Sequence, residues 1–201
     1  IELGLGDEGQ LAEIAEAESD LRAGEHRLQG WLRVAASGSF GRLKLMPLVQ
    51  SFLAAHPGVK IDLRLNDGFI DLVEQGIDIA VRIGEQPDSS LVARRIGEFH
   101  LILCASPAYL QRHGTPRLPR ELEGERHRMV NYLSHRTGRP YPLVLQRGAE
   151  KVELNPNHTL AVNDSTAGLA AGLAGLGITY TATFQAYPHL ASGALVEPLP
   201  Q

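Results

Sequence analysis

With 201 residues, 43% of them hydrophobic and 21% charged, the chain can bury a real core in one or two domains and is too apolar to be disordered. Its formal net charge of −4 leaves no basic excess for holding nucleic acid through its own surface. A single cysteine, Cys104, excludes an internal disulfide and a multi-cysteine metal site, and no apolar run reaches a membrane span or forms a secretion signal.

Residues 7–28 read as one helix. Asp7 and Glu8 suit its positive N-terminus, and alanine and glutamate dominate the rest. Leu11 and Ile14 share a face, and Ile14, Leu21 and Leu28 continue it at a spacing of seven, interrupted by Gly24. So polar a helix gains little from burial against its own domain. The pattern fits packing on a partner chain, a link between domains, or a solvated leader.

The next stretch organises the chain. Leu32, Val34 and Ala35 make a short apolar strand, which Ser37-Gly38-Ser39 breaks with residues that turn tightly and cap helices. Leu45, Leu48, Val49, Phe52 and Leu53 then follow the stripe of a one-faced helix, stopped by His56-Pro57-Gly58. Such a turn leaves backbone N–H groups free at the helix start, where an anion or a polar ligand group can sit, although many βα turns hold nothing.

Val59 to Leu65 alternates as a half-exposed strand, Asn66-Asp67-Gly68 is a turn, 71–76 reads as a short helix with a glycine stop, and 77–83 as a further strand ended by Gly84. Alternating strands and helices imply an α/β domain with a largely parallel sheet, whose ligands bind at the carboxyl ends of the strands. Those ends are Ser37, Asn66-Asp67 and Arg82 to Gly84. Arg82 sits inside an apolar strand and needs a partner, either a ligand carboxylate or a structural acid such as Asp78.

A second α/β unit runs from about 101 to 196. It begins with the apolar strand Phe99 to Ala105, and Ser106-Pro107 opens a helix. Cys104 in that strand reads as core. Residues 115–124 form a proline-rich loop. Strands are expected at 129–133, 143–145, 152–154, 160–162 and 178–180, with a helix over 167–176 capped by Asn163-Asp164-Ser165-Thr166. Both units thus end strands in small polar turns at helix starts, which suggests a ligand in a cleft between them.

Catalytic motifs are absent. There is no G-x-S-x-G elbow and no P-loop. The run GLAAGLAGLG over 168–177 places its glycines within a helix rather than in the turn after a strand, so close helix packing explains it better than a dinucleotide. None of the eight histidines pairs at zinc-binding helical spacing, and His127 and His135, each followed by arginine, read as surface or loop residues. No enzyme, metal or cofactor is expected.

Several runs together resemble the effector-binding region of LysR-type transcriptional regulators. LQGWLRVAASGSFGRLKLMPLVQSFLAAHPGVKIDLRLND resembles the opening strand, helix and second strand of that family. DLVEQGIDIAVRIGEQPDSSLVARRIG is similar to its Asp-Leu-Val, Gly-x-Asp-Ile-Ala-x-Arg-x-Gly and Ser-Leu-x-Ala-Arg pattern. LCASPAYLQRHGTPRLPREL, NDSTAGLAAGLAGLGI and LASGALVEPLP resemble later elements in the same order. Residues 5–10 look like the family's Leu-Thr-x-x-Gly element, with Gly6 in the threonine's place.

The resemblance implies an α/β fold with two Rossmann-like subdomains of the type II periplasmic-binding-protein kind, preceded by a long linker helix. Residues 1–28 would be the end of a DNA-binding wing and the linker and dimerisation helix. Residues 29–100 would be subdomain I, 101–196 subdomain II, and 197–201 the start of a segment that returns to subdomain I, the rest of which this sequence does not contain. A small effector, anionic by this reading, would lie between the subdomains against Ser37, Gly38, Ser39, Phe40, Asn66, Asp67, Arg82 and Gly84 on one side and Ser106, Asn163, Asp164 and Ser165 on the other. Ser37, Ser39 and the neighbouring N–H groups would hold it, with Arg82 as a candidate counter-charge; Asp67 and Asp164 would orient ligand donors or cap helices. The implied protein is a cytoplasmic homodimer or homotetramer that reaches promoter DNA through a helix-turn-helix absent from this sequence, with no membrane partner. The alternative is a transporter's solute-binding protein, which shares the two-lobed fold.

Overall fold

The computed structural model describes residues 28–68, 71–84 and 91–199. The expected helix over 7–28 lies almost wholly outside them.

Strands β1 (Gln29–Ala36), β2 (Gly58–Leu65) and β3 (Ile79–Val81) form a parallel sheet in the order β2-β1-β3. Ala36 is in register with both Leu65 and Val81. The next residues, Ser37, Asn66 and Arg82, therefore leave the sheet side by side at its carboxyl edge. Between β1 and β2 the chain is helical from Gly38 to Ala55: a short turn α1 (Gly38–Phe40), a π-helical segment (Gly41–Leu45) and α2 (Met46–Ala55). His56 closes it, its N–H donating to Phe52 O, as the His-Pro-Gly stop predicts.

Two expectations for this unit change. Residues 71–76 form a hydrogen-bonded turn instead of a helix. The Asp71 carboxylate accepts from the N–H groups of Val73 (3.0 Å) and Glu74 (2.9 Å), and Gly76 turns the chain out with φ 59°. One turn between a capping aspartate and a left-handed glycine is too short to propagate. The strand expected over 77–83 shortens to β3. The apolar stripe of α2 is also far from buried: Leu48 is 66% exposed, and Trp31 on β1 is 68% exposed. Among the described residues of this unit, the buried ones are Val34 to Ser39, at the end of β1 and the turn after it, and Gly41.

The second unit carries the main core. Its sheet has the order β4-β9-β5-β8, built from β4 (Leu101–Cys104), β5 (Met129–Tyr132), β8 (His158–Val162) and β9 (Ile178–Ala182). β5 is parallel to β8 and β9, and β4 is antiparallel to β9. A hairpin of β6 (Leu143–Arg147) and β7 (Glu150–Leu154) stands beside it. Leu103, Tyr109, Leu122, Met129, Leu143, Leu154 and Ile178 pack as one cluster with α3 (Pro107–His113) and a 3₁₀ turn (Pro119–Glu123). A second cluster joins Cys104, Leu169, Ala186 and Leu195 with α4 (Ser165–Leu173) and α5 (Thr183–Ala191). Cys104 is fully buried, and burial pushes its thiol up to about 12, as befits a core residue.

The glycine run serves packing. A Cβ on Gly172 would come within 2.6 Å of Thr179 Cγ2, and one on Gly177 within 2.6 Å of Arg128 O. Helix α5 has no counterpart among the expected elements, because Thr183 at its start and Pro188 inside it blur the pattern. His127 lies in the loop before β5, one of the two places expected for it, but not at the surface. It is 1% exposed and tilted against Tyr109, so it belongs to the interior, and burial lowers its pKa.

Candidate functional site

The carboxyl edge of the first sheet meets that of the second: Asp67 after β2 contacts Tyr132 at the end of β5, and Arg42 contacts Asp164 after β8. Ser37 ends β1 with extended backbone, and its carbonyl accepts from the N–H of Gly41 at 2.8 Å, which starts the helix. The Asp67 carboxylate caps the same helix: Oδ1 accepts from the N–H of Gly38 at 2.8 Å. Its other oxygen, Oδ2, accepts from the Tyr132 hydroxyl of the second unit at 3.4 Å. Tyr132 Oη also lies 3.1 Å from His135 Nε2, and burial followed by the Asp67 charge raises its pKa, so the phenol stays a proton donor.

Ser37 Oγ and, away from this edge, His127 Nδ1 are the two buried side-chain polar atoms without a partner among the described residues. Ser37 is 7% exposed, and its hydroxyl has no hydrogen-bond partner among the described residues. A buried hydroxyl left unpaired costs about 1–3 kcal/mol, which a ligand acceptor or donor would recover. Ser39, beside it, is also buried. Phe40 meets Phe184 of α5 edge-on at 5.8 Å, and Phe184 meets Phe99 in the same way at 5.4 Å, so an aromatic cluster joins the two units here.

Arg82 is held internally. Nη1 donates to the carbonyls of Asn66 and Gly68, each at 3.1 Å. Burial lowers its pKa and the Asp67 charge works against that. Asp78, the structural acid considered from sequence, instead accepts from the N–H of Arg33 at 2.7 Å. The Asn66 side chain accepts from the N–H of Gly68 at 2.7 Å, and Gly84 stands exposed after β3.

From the second unit, Asp164 caps α4 through Oδ1, which accepts from the N–H of Ala167 at 2.7 Å. Its Oδ2 accepts from Arg42 Nη2 at 3.2 Å, and Thr166 Oγ1 accepts from the same nitrogen at 3.0 Å. The side chains of Arg42 and Asp164 are 47% and 45% exposed, so this ion pair contributes about 0–1 kcal/mol. Ser165 Oγ accepts from Gln185 Nε2 at 3.1 Å, and Asn163 is exposed.

Ser106 is not brought to this edge. Because β4 runs antiparallel to β9, pairing Cys104 with Thr179, its carboxyl end lies at the opposite edge of the sheet. There Ser106 Oγ caps α3 by accepting from the N–H of Tyr109 at 3.3 Å. Arg42, Tyr132, Thr166 and Phe184 make contacts between the two units, and sequence reasoning missed all four. Arg42 offers the one local hint: it lies one turn after Gly38 in the same helix. Among the described residues, no three His, Cys, Asp or Glu side chains converge as metal ligands. A cavity of about 770 Å³ on the second unit, lined by Thr115, Pro116, Arg117, Glu121, Arg126 and Pro198, contains none of the cleft residues.

Comparison with known proteins shows what the fold is similar to. The family model described as the LysR substrate binding domain matches residues 25–201. YhjC, an uncharacterised HTH-type transcriptional regulator of Escherichia coli K12, is 30% identical over 190 residues, covering 94% of this chain and 63% of that protein. The solved structure of CrgA, a LysR-type transcriptional regulator from Neisseria meningitidis, matches with a TM-score of 0.75 at 29% identity, over 94% of this chain and 62% of that one. The full-length Vibrio cholerae virulence activator AphB, a member of the LTTR protein family, matches with a TM-score of 0.76 at 27% identity, over 96% of this chain and 64% of that one. The chain therefore spans less than two thirds of the length of these relatives.

Proposed function

The chain belongs to the LysR substrate-binding-domain family, and from that membership we propose that it senses a small effector in the cleft between its two subdomains. The relatives reported above carry the names of transcriptional regulators, which gives no support to a transporter's solute-binding protein or to an enzyme. In the whole protein, subdomain I would comprise residues 29–100 and subdomain II residues 101–196. The segment 1–28 would link and dimerise, residues from 197 on would return toward the open apolar face of subdomain I, and a helix-turn-helix would contact promoter DNA. Effector binding would favour one relative orientation of the subdomains, by as much as its affinity for the two orientations differs.

The observation that carries this reading is the buried, unpartnered hydroxyl of Ser37, set where three strand ends meet. Ser39, Gly38, Phe40, Asn66 and Asp67 would line the same side, with Asp164 and Ser165 opposite. Removing the Ser37 hydroxyl removes a buried polar group that has no partner among the described residues. In the whole regulator, Ser37→Ala is therefore expected to keep or slightly raise thermal stability. It should raise the effector concentration for half-maximal response about tenfold and leave promoter affinity unchanged. A normal response with lowered stability would show that the hydroxyl serves the fold and not the effector.

A further inference from the structure

We propose that Arg42 is the residue that receives the effector's charged group, that this group is a carboxylate, and that Asp164 with Thr166 holds the guanidinium until the effector arrives. The proposal rests on the cleft reading above and adds the ligand's chemical class and the contact it displaces.

Three anion-attracting features converge here: one is occupied, one is anchored to backbone beside a carboxylate, and one is held only by an exposed side-chain pair. The N–H of Gly38 is taken by the Asp67 carboxylate at 2.8 Å. Arg82 Nη1 is taken by the carbonyls of Asn66 and Gly68, and Asp67 supplies negative charge beside it. Arg42 is the third. Only Nη2 is engaged, by Asp164 Oδ2 and Thr166 Oγ1; the other two guanidinium nitrogens make no hydrogen bond among the described residues. The guanidinium also lies against Gly38, since a Cβ there would stand 3.4 Å from Nη2 and 3.7 Å from Nη1. It therefore borders the turn that holds the unpartnered Ser37 hydroxyl.

The present partner is a poor match for the fork. Asp164 gives Arg42 one oxygen, because its other oxygen is committed to capping α4. A free carboxylate brings two oxygens in the geometry that a guanidinium binds bidentately. The pair is about half exposed, so solvent already weakens it. Once displaced, Asp164 keeps its capping bond, so α4 does not fray. Arg42 belongs to the first subdomain and Asp164 to the second, and among the described residues this is the ion pair that joins them across the cleft. An effector that takes Arg42 thus removes a tie between subdomains as it binds, which couples occupancy to orientation.

The test uses formate on the 201-residue chain at constant ionic strength, with chloride as the balancing anion. The reporters are the Arg42 Nε–H resonance and the Ser37 and Gly38 amides. Asp164→Ser keeps a capping oxygen for Ala167 and removes the competing carboxylate. Formate should shift Arg42 Nε–H saturably in this variant, at a concentration at least fivefold lower than in the parent chain, and Arg42→Gln in the same background should abolish the response of the Gly38 amide. Asp164→Asn, which also retains a capping oxygen, gives the same comparison if the serine variant folds poorly. Equal responses in parent and variants overturn the proposal, as does a variant that does not respond. A shift of the Ser37 and Gly38 amides with Arg42 unmoved also overturns it while leaving the cleft reading standing. If the cleft reading itself fails, Ser37→Ala leaves the effector response of the whole regulator unchanged, whatever formate does here.

Discussion

Ile178→Ala is expected to cost about 2–5 kcal/mol, seen as a fall in the urea midpoint of the far-UV circular dichroism transition. Ile178 starts β9, whose neighbours are β4 and β5, and its side chain is fully buried with Leu103, Met129, Leu143 and Leu154. Removing its branched carbons loses their transfer free energy and leaves a void that paired strands on both sides cannot close. Ile178→Val should cost only about 0.5–1.5 kcal/mol, because a single methylene is lost. Leu48→Ala makes the contrast: with two thirds of its side chain in water, it should change stability by no more than about 0.5 kcal/mol. Equal losses at Ile178 and Leu48 would mean that the second subdomain does not hold the main core.

Asp67→Ala is expected to destabilise the chain by about 1–3 kcal/mol, while Asp67→Asn loses less than half of that. One carboxylate does three things here. It caps the helix that begins at Gly38, it accepts from Tyr132 across the cleft, and it supplies the negative charge nearest half-buried Arg82. Alanine removes all three. Asparagine keeps an oxygen for the Gly38 N–H and forfeits chiefly the charge. Chemical denaturation of the three proteins separates the cases, and equal losses for the two variants would place the whole effect in the charge on Arg82. Because Tyr132 reaches Asp67 from the other subdomain, the alanine variant should also scatter X-rays as a slightly more open pair of lobes.

Much of this arrangement is legible in the residues because it follows from local pattern. The apolar run before Ser37-Gly38-Ser39 and the stripe after it announce a strand feeding a helix. Asp164 in front of an alanine- and glycine-rich run announces a capped, closely packed helix. Parallel strands with level ends then bring Ser37, Asn66 and Arg82 together, so listing strand ends places these three side by side at one edge of the first sheet. Contacts that depend on how the two subdomains face each other leave no such trace. Nothing around Arg42 says that its partners are Asp164 and Thr166, and nothing around Tyr132 says that it meets Asp67, because each pair is more than 60 residues apart. Strand direction is equally silent. Ser106 follows a strand and precedes a helix just as Ser37 does, yet β4 runs the other way and carries it to the far edge. His127 is half legible: the arginine after it fits a surface or loop, and it does lie in a loop, but the fold turns its ring in against Tyr109.

The most direct test of the account is to map where small molecules bind. A panel of carboxylates and their matched amides, titrated into isotope-labelled protein, reports its own location through the amide resonances. The account predicts that binding carboxylates perturb Ser37 to Phe40, Asn66 and Asp67, together with Asp164 and Ser165 across the cleft, and that the amides bind more weakly. Perturbations confined to Thr115, Arg117, Glu121 and Arg126, around the separate cavity, with the cleft unmoved, would contradict it.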